Sequence, residues 1–194
     1  MNIINHKVFP SIITEISCSQ FNLIQPDLID WIYKYQNNEP GVVFTNRGGW
    51  QSPSNCNHIE SFFPYFNFIS YNVFSAINFY NVNLTFTNMW ININQRGNYN
   101  TTHVHPGALI SGVFWVKTSE NCGMLKFLSP NHYKENYLIE NANVEIKTEH
   151  NYSEHFFVNP QEGKIVLFPS HLYHMVESNE SEYDRISIAF NLTA

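Results

Sequence analysis

Along the chain the spacing of apolar positions changes from a helical period to an alternating one. Residues 7–24 carry short apolar groups, Val8-Phe9-Pro10 and Ile12-Ile13, and predict one or two short strands. Pro26-Asp27 then opens a helix, because proline is tolerated in a first turn and aspartate suits the positive end of the dipole. Leu28, Ile29, Ile32 and Tyr35 follow at helical spacing until Asn37-Asn38-Glu39-Pro40-Gly41 stops them. After a glycine-rich loop over 46–53, Phe62, Phe63, Phe66, Ile69, Val73, Ile77 and Tyr80 step by three and four. That stripe predicts an amphipathic helix over 59–80, interrupted or started near Pro64.

From Leu84 the period becomes two. Leu84, Phe86, Trp90 and Ile91-Asn92-Ile93-Asn94 lead to Gln95-Arg96-Gly97-Asn98, which has the makeup of a hairpin turn. The stretch bearing His103 follows, and further strands are expected over 109–117, 124–128, 156–158, 164–168, 173–176 and 186–192. The polar excursion over 129–152 reads either as a lid beside a site or as a plain surface loop. A helical third followed by many short strands predicts a mainly β chain with N-terminal helices, built as a double-stranded β-helix (jelly-roll or cupin-like) barrel. With 194 residues the expectation is one domain over 1–194. Within it a helical part over 1–82 braces a jelly-roll core over 83–194.

Composition narrows the partners. Charged residues make up 13% against 43% hydrophobic, so polarity comes largely from Asn, Ser, Thr and Gln. A formal charge of -6 with no Lys/Arg cluster argues against nucleic acid as a partner. Cys18, Cys56 and Cys122 are widely spaced, with no CxxC, and read as buried small hydrophobes of a reduced, cytoplasmic protein. No apolar run reaches the roughly 18 residues of a membrane span. The N-terminus shows no signal-peptide pattern, so a soluble chain with no membrane partner is expected. The aromatic-rich N-terminal half could supply the face of a homodimer.

The candidate chemistry centres on Asn100-Thr101-Thr102-His103-Val104-His105-Pro106. Side chains at i and i+2 of a strand share a face, so His103 and His105 can converge on a metal ion. Two imidazoles leave a site incomplete, and His174, closing an apolar strand and a proline turn, is the candidate third ligand. His171 competes with it, but 185 − 174 = 11 residues suit a hairpin return to Arg185 better than 185 − 171 = 14. Arg185 and Ser187 alternate with Ile186, Ile188 and Phe190, so a guanidinium and a hydroxyl share one face, a fork suited to a carboxylate. Weaker pocket candidates are Trp90, Asn92, Tyr99 and Ser111. Trp50 either walls the mouth of a site or plugs the core. No lysine follows the glycines around it, which excludes a nucleotide P-loop.

Taken together, His103-x-His105, His174 and Arg185-x-Ser187 resemble the iron and 2-oxoglutarate dependent oxygenases. The likeness is closer still to the small members of that family, through Gly48-Gly49-Trp50-Gln51-Ser52, Ser111-Gly112-Val113-Phe114-Trp115-Val116 and Phe168-Pro169, and it extends from Phe9 to Asn191. The resemblance implies Fe(II) and 2-oxoglutarate as cofactors, with Arg185 and Ser187 holding the distal carboxylate. O2 would be consumed, succinate and CO2 released, and a small molecule or peptide side chain hydroxylated. Position 105 departs from the pattern, since the family most often has Asp or Glu there, and between residues 84 and 134 the only acidic residue is Glu120. Two arrangements follow: a three-histidine site, or His105 behind the metal with water in its place. The other functional readings are a cupin-type three-histidine dioxygenase that needs no oxo acid, and a non-catalytic jelly-roll binding module.

Overall fold

In the computed structural model the described residues are 11–130, 137, 138, 140–145, 147 and 154–194. The first strand among the described residues is β1 (Thr14–Ser17), followed by Gln20 in a left-handed conformation and a 3-10 turn over Phe21–Leu23. Helix α1 (Gln25–Asn38) has the proline and Asp27 in its first turn, as the sequence predicts. Two short strands, β2 (Asn46–Arg47) and β3 (Trp50–Gln51), occupy the glycine-rich loop. The aromatic stripe forms a 3-10 turn over Glu60–Phe62 and then α2 (Phe63–Ile77). The strands that follow are β4 (Thr85–Asn94), β5 (Tyr99–His103), β6 (Ile110–Lys117) and β7 (Leu125–Leu128). The last four are β8 (His155–Val158), β9 (Lys164–Pro169), β10 (His174–Val176) and β11 (Arg185–Thr193).

They pair into two antiparallel sheets. One has the order β1-β9-β6-β11-β4-β3 and the other β2-β5-β10-β7-β8. Val113, Trp115, Val166 and Phe168 of the first pack against Leu125, Phe127 and Val158 of the second, closing the two sheets around a small interior core. The opposite face of the six-stranded sheet carries a larger core. There Met89, Ile91, Ile93, Phe114, Val116, Ile186, Ile188, Phe190 and Leu192 lie beneath Leu28 and Ile32 of α1 and Ile69, Val73 and Ile77 of α2. Burying each such side chain stabilises the fold by roughly 1.5–3 kcal/mol, so this face anchors the sheet. The fold is a double-stranded β-helix jelly roll, mainly β with a few helices. Among the described residues no helix is long and apolar enough to cross a membrane.

Several boundaries differ from the expectation. The strand reading of 7–24 shrinks to β1, with 7–10 outside the described residues, and most of the 129–152 excursion also lies outside them. The 59–80 helix stops at Ile77. Strand β5 ends at His103 rather than running through His105, whose N–H bonds the Ser170 carbonyl at 3.0 Å instead of a strand neighbour. Pro106, with no N–H, cannot extend the ladder. Trp50 proves to be a core plug: its Nε1–H donates to the Glu39 carbonyl at 2.9 Å and its ring meets Tyr35 edge-on at 6.0 Å.

Candidate metal centre

Strand pairing brings the three histidines together. His174, at the start of β10, stands directly across from His103 at the end of β5, and across from Phe127 of β7 on its other side. His105 reaches the same point from the loop beyond β5. Ring centroids are 4.3 Å apart for His103 and His174, and 5.0 Å for each pair involving His105. One ring nitrogen from each residue lies within 4.8 Å of the other two. Among the described residues no carboxylate joins this group, and His171, the competing histidine, is exposed while His174 is buried.

Hydrogen bonding decides which nitrogens are available. The Nδ1 of His103 lies 2.7 Å from the Thr101 carbonyl, and that of His174 lies 2.9 Å from the Leu172 carbonyl. A carbonyl can only accept, so each Nδ1 carries the proton and each Nε2 keeps a lone pair. The Nδ1 of His105 is 2.6 Å from Asn191 Oδ1 and 2.8 Å from Ser111 Oγ. Burial pushes all three imidazoles toward the neutral form that ligates metals, His174 down to about 3 and His105 to about 4, with His103 lowered as well. Three neutral imidazoles converging from β5, the loop after it and β10 fit a transition-metal ion, and imidazole suits iron. Phe168 packs edge-on against His174 at 4.6 Å, and the Trp90 ring lies 5.5 Å from His105.

The polar residues that accompany this group share the interior face of the six-stranded sheet. On β11 the residues opposite Ile186, Ile188 and Phe190 are Arg185, Ser187, Ala189 and Asn191. Their partners across the ladders are Asn94, then Asn92 and Trp115, then Trp90 and Val113, then Asn88 and Ser111. Arg185 is 0% exposed. Its Nη1 donates to the Cys122 carbonyl and, at 2.8 Å, to that of Glu177, three residues past His174. Among the described residues its Nε and Nη2 have no partner, and these are the two atoms that form one bidentate edge of a guanidinium. Burial lowers Arg185 to about 10, so it stays charged at neutral pH.

Other polar atoms on this face are unpaired as well. Among the described residues, six of the seven buried side-chain N and O atoms without a partner belong to it: Arg185 Nε and Nη2, Trp115 Nε1, Asn94 Nδ2, Asn92 Oδ1 and Asn88 Oδ1. A buried polar group left unmet is costly, so this alignment marks an interior face suited to a polar molecule.

Of the sequence-derived candidates, His103, His105, His174, Ser111 and Trp90 gather at one end, while Arg185, Ser187 and Asn92 lie further along the same interior. Tyr99 begins β5, four residues before His103, and is 38% exposed. Sequence reasoning put Asn191 on the face of Arg185 and Ser187 but gave it no role, and it missed Ser170, Asn94 and Trp115. The i, i+2 run Asn88, Trp90, Asn92, Asn94 carried a signal for Asn94. Trp115, inside an uninterrupted apolar run, carried none.

Comparison with known proteins gives a family and a fold. A family model described as "Putative 2OG-Fe(II) oxygenase" matches residues 88–191, more than half of the chain. No curated protein matches in sequence. Among solved structures, a prolyl-4-hydroxylase from Pseudomonas putida superposes with a TM-score of 0.58 at 12% identity, over 92% of this chain and 91% of its own. A Trichoplax adhaerens prolyl hydroxylase, in complex with a peptide fragment of a hypoxia inducible factor oxygen degradation domain, gives 0.63 at 15% identity over 93% and 82%. HygX from Streptomyces hygroscopicus, with nickel and 2-oxoglutarate bound, gives 0.61 at 10% identity over 93% and 82%. At these identities the likeness is one of fold.

Proposed function

Since the chain belongs to the 2OG-Fe(II) oxygenases, and is thereby a 2-oxoglutarate-dependent oxidoreductase, we propose that His103, His105 and His174 hold its Fe(II) and that Arg185 and Ser187 seat its 2-oxoglutarate. The reaction we assign is hydroxylation of a small molecule or a peptide side chain, with release of succinate and CO2. The observation that carries this reading is the free Nε/Nη2 edge of a fully buried, charged Arg185 in the same interior as three imidazoles whose ligand atoms converge.

When bound, the iron supplies the oxidative chemistry that splits the oxo acid and attacks a C–H bond. The chain's own residues bind, orient and exclude water. Arg185 is pinned through Nη1 to the carbonyls of Cys122 and Glu177, which leaves the opposite edge to accept a carboxylate in one orientation. Glu177 lies three residues from His174, about 10 Å along an extended strand, a separation suited to a five-carbon diacid reaching from Arg185 toward the imidazoles. Phe127, Phe168 and Leu172 surround His174 with apolar surface and keep water from that side. Trp90, Asn92, Tyr99 and Ser111 are the proposed further contacts of the cavity.

The test is succinate formation from 2-oxoglutarate with Fe(II) and O2, in wild type, His174→Ala and Arg185→Ala. Loss in both variants is expected. Oxidation that survives Arg185→Ala without oxo acid would point to the cupin-type dioxygenase. Absence of turnover together with absence of metal uptake would leave a binding module.

A further inference from the structure

The least orthodox member of the site is His105, which stands where a carboxylate is usual and lies outside the strand that carries His103. Two independent restraints hold it. Its backbone N–H donates to the Ser170 carbonyl at 3.0 Å, and its ring meets a buried polar cluster. Asn191 Oδ1 sits 2.6 Å from Nδ1 and also accepts the Ser111 hydroxyl at 2.7 Å. Ser111 Oγ is in turn 2.8 Å from Ser170 Oγ and 2.8 Å from the same Nδ1. Ser111 and Ser170 are 0% and 1% exposed, and Asn191 is 7%.

Proton counting within the cluster gives one answer. An amide oxygen only accepts, and a serine whose hydroxyl proton already points at that oxygen can only accept from the ring. Both neighbours of His105 Nδ1 are therefore acceptors, the proton must reside on Nδ1, and the lone pair must reside on Nε2, the atom left for the metal. Strand geometry supports the same picture: Asn191 and Ser111 are paired across β11 and β6, and the β11–β4 register shifts immediately after Asn191. A bulge at such a place re-aims a side chain.

We propose that Asn191, backed by Ser111 and Ser170, is the positioning residue that fixes His105 as the third metal ligand. This rests on His105 being a ligand, as assigned above. Because the acceptor is a neutral amide rather than a carboxylate, the imidazole it orients stays a neutral and only moderately basic ligand. A carboxylate in its place would raise that basicity.

The experiment uses Co(II) as the probe in the full chain, read by binding affinity and by the exchangeable, hyperfine-shifted imidazole N–H resonances. Wild type should show three such resonances, one per Nδ1–H. Asn191→Leu should lose the His105 resonance alone and bind Co(II) about 10–100-fold more weakly, with unchanged circular dichroism. Asn191→Asp should keep all three resonances and bind more tightly than wild type. It serves as the measure if Asn191→Leu does not fold. Wild-type affinity with three resonances in Asn191→Leu, or no gain in Asn191→Asp, overturns the positioning role and leaves the three-histidine reading standing. Failure of the wild type to bind Co(II), or binding that survives His103→Ala and His174→Ala, overturns that reading and the positioning role with it.

Discussion

Arg185 is the residue whose replacement should separate stability from chemistry. Arg185→Met keeps the length of the stem and removes the guanidinium. In the absence of co-substrate the charged group makes two hydrogen bonds, to the Cys122 and Glu177 carbonyls, and leaves two donors, Nε and Nη2, unmet. A hydrogen bond to a charged group contributes about 1.5–3 kcal/mol, and an unmet buried donor costs about 1–3 kcal/mol. The two lost bonds and the two removed penalties are of similar size and opposite sign. The stability of the co-substrate-free protein should therefore shift by no more than about 2 kcal/mol, although the residue is fully buried.

Binding should respond differently. The free edge of Arg185 can give a carboxylate two parallel charge-assisted bonds, and losing such a buried contact costs about 3–4 kcal/mol, within the range for truncating one partner of a charge pair. That corresponds to 2-oxoglutarate binding weakened roughly a hundredfold to a thousandfold. Thermal melts of wild type and Arg185→Met, with Mn(II) and a titration of 2-oxoglutarate, measure both quantities. Wild type should rise with ligand as mass action requires, and the variant should not. In turnover the variant should show a raised KM for the oxo acid, with kcat changed far less. Arg185→Lys should recover only part of the binding, because an ammonium cannot present two parallel donors. A variant that melts far below wild type yet keeps the full ligand-induced rise would refute the reasoning and make Arg185 a structural plug.

Three other outcomes follow from the same structure. His174→Ala should abolish Co(II) and Fe(II) uptake as measured by equilibrium dialysis, since two imidazoles from one short segment cannot close the site; uptake equal to wild type would remove His174 from the ligand set. Without metal, the three histidines are held below their ordinary value of 6.5, so the folded chain resists protons that the unfolded chain accepts. Stability should be complete above pH 6.5 and fall as the pH drops toward 5, above the range where ordinary carboxylates titrate; a melting temperature flat across that window contradicts this. Gly112→Ala should destabilise by about 1–3 kcal/mol or more in urea titration, because its Cβ would run into the Phe190 ring and come within 2.9 Å of Leu167. Gly112 faces the helices, so Co(II) affinity of the folded variant should match wild type.

Much of this was legible in the sequence because β11 and the part of β4 from Met89 onward alternate. Ile91, Ile93, Ile186, Ile188 and Phe190 announced one buried face, and Asn92, Asn94, Arg185 and Ser187 the other. The two α-helices were equally plain, since Pro26, Pro64 and the aromatic stripe mark where they begin and what they cover. Three features were hidden for physical reasons. Strands β2 and β3 are two residues each and owe their existence to pairing with β5 and β4, which lie far along the chain. Trp115 belongs to a strand buried on both faces, where no alternation survives to show which side it takes. The role of Asn191 depends on a fold-specific meeting of β11, β6 and the loop after β5, so no local pattern could reveal it.

The same strand that stabilises the barrel also carries its chemistry, and the pleat keeps the two tasks apart. Even-numbered residues of β11 from Ile186 to Leu192 are buried beneath α1 and α2, and odd-numbered ones from Arg185 to Asn191 face the interior. A slip of one residue would exchange the faces, putting a guanidinium under the helices and isoleucines among the histidines. The strand therefore needs a strongly fixed register, which pairing on both sides with β4 and β6 supplies. The ladders shift at only two places along it, between Ile186 and Ser187 against β6 and between Asn191 and Leu192 against β4. These irregularities bracket the interior residues that run from Ser187 to Asn191. Local freedom is thus confined to the two ends of the functional face, where side chains must be aimed, while the apolar face between them remains regular.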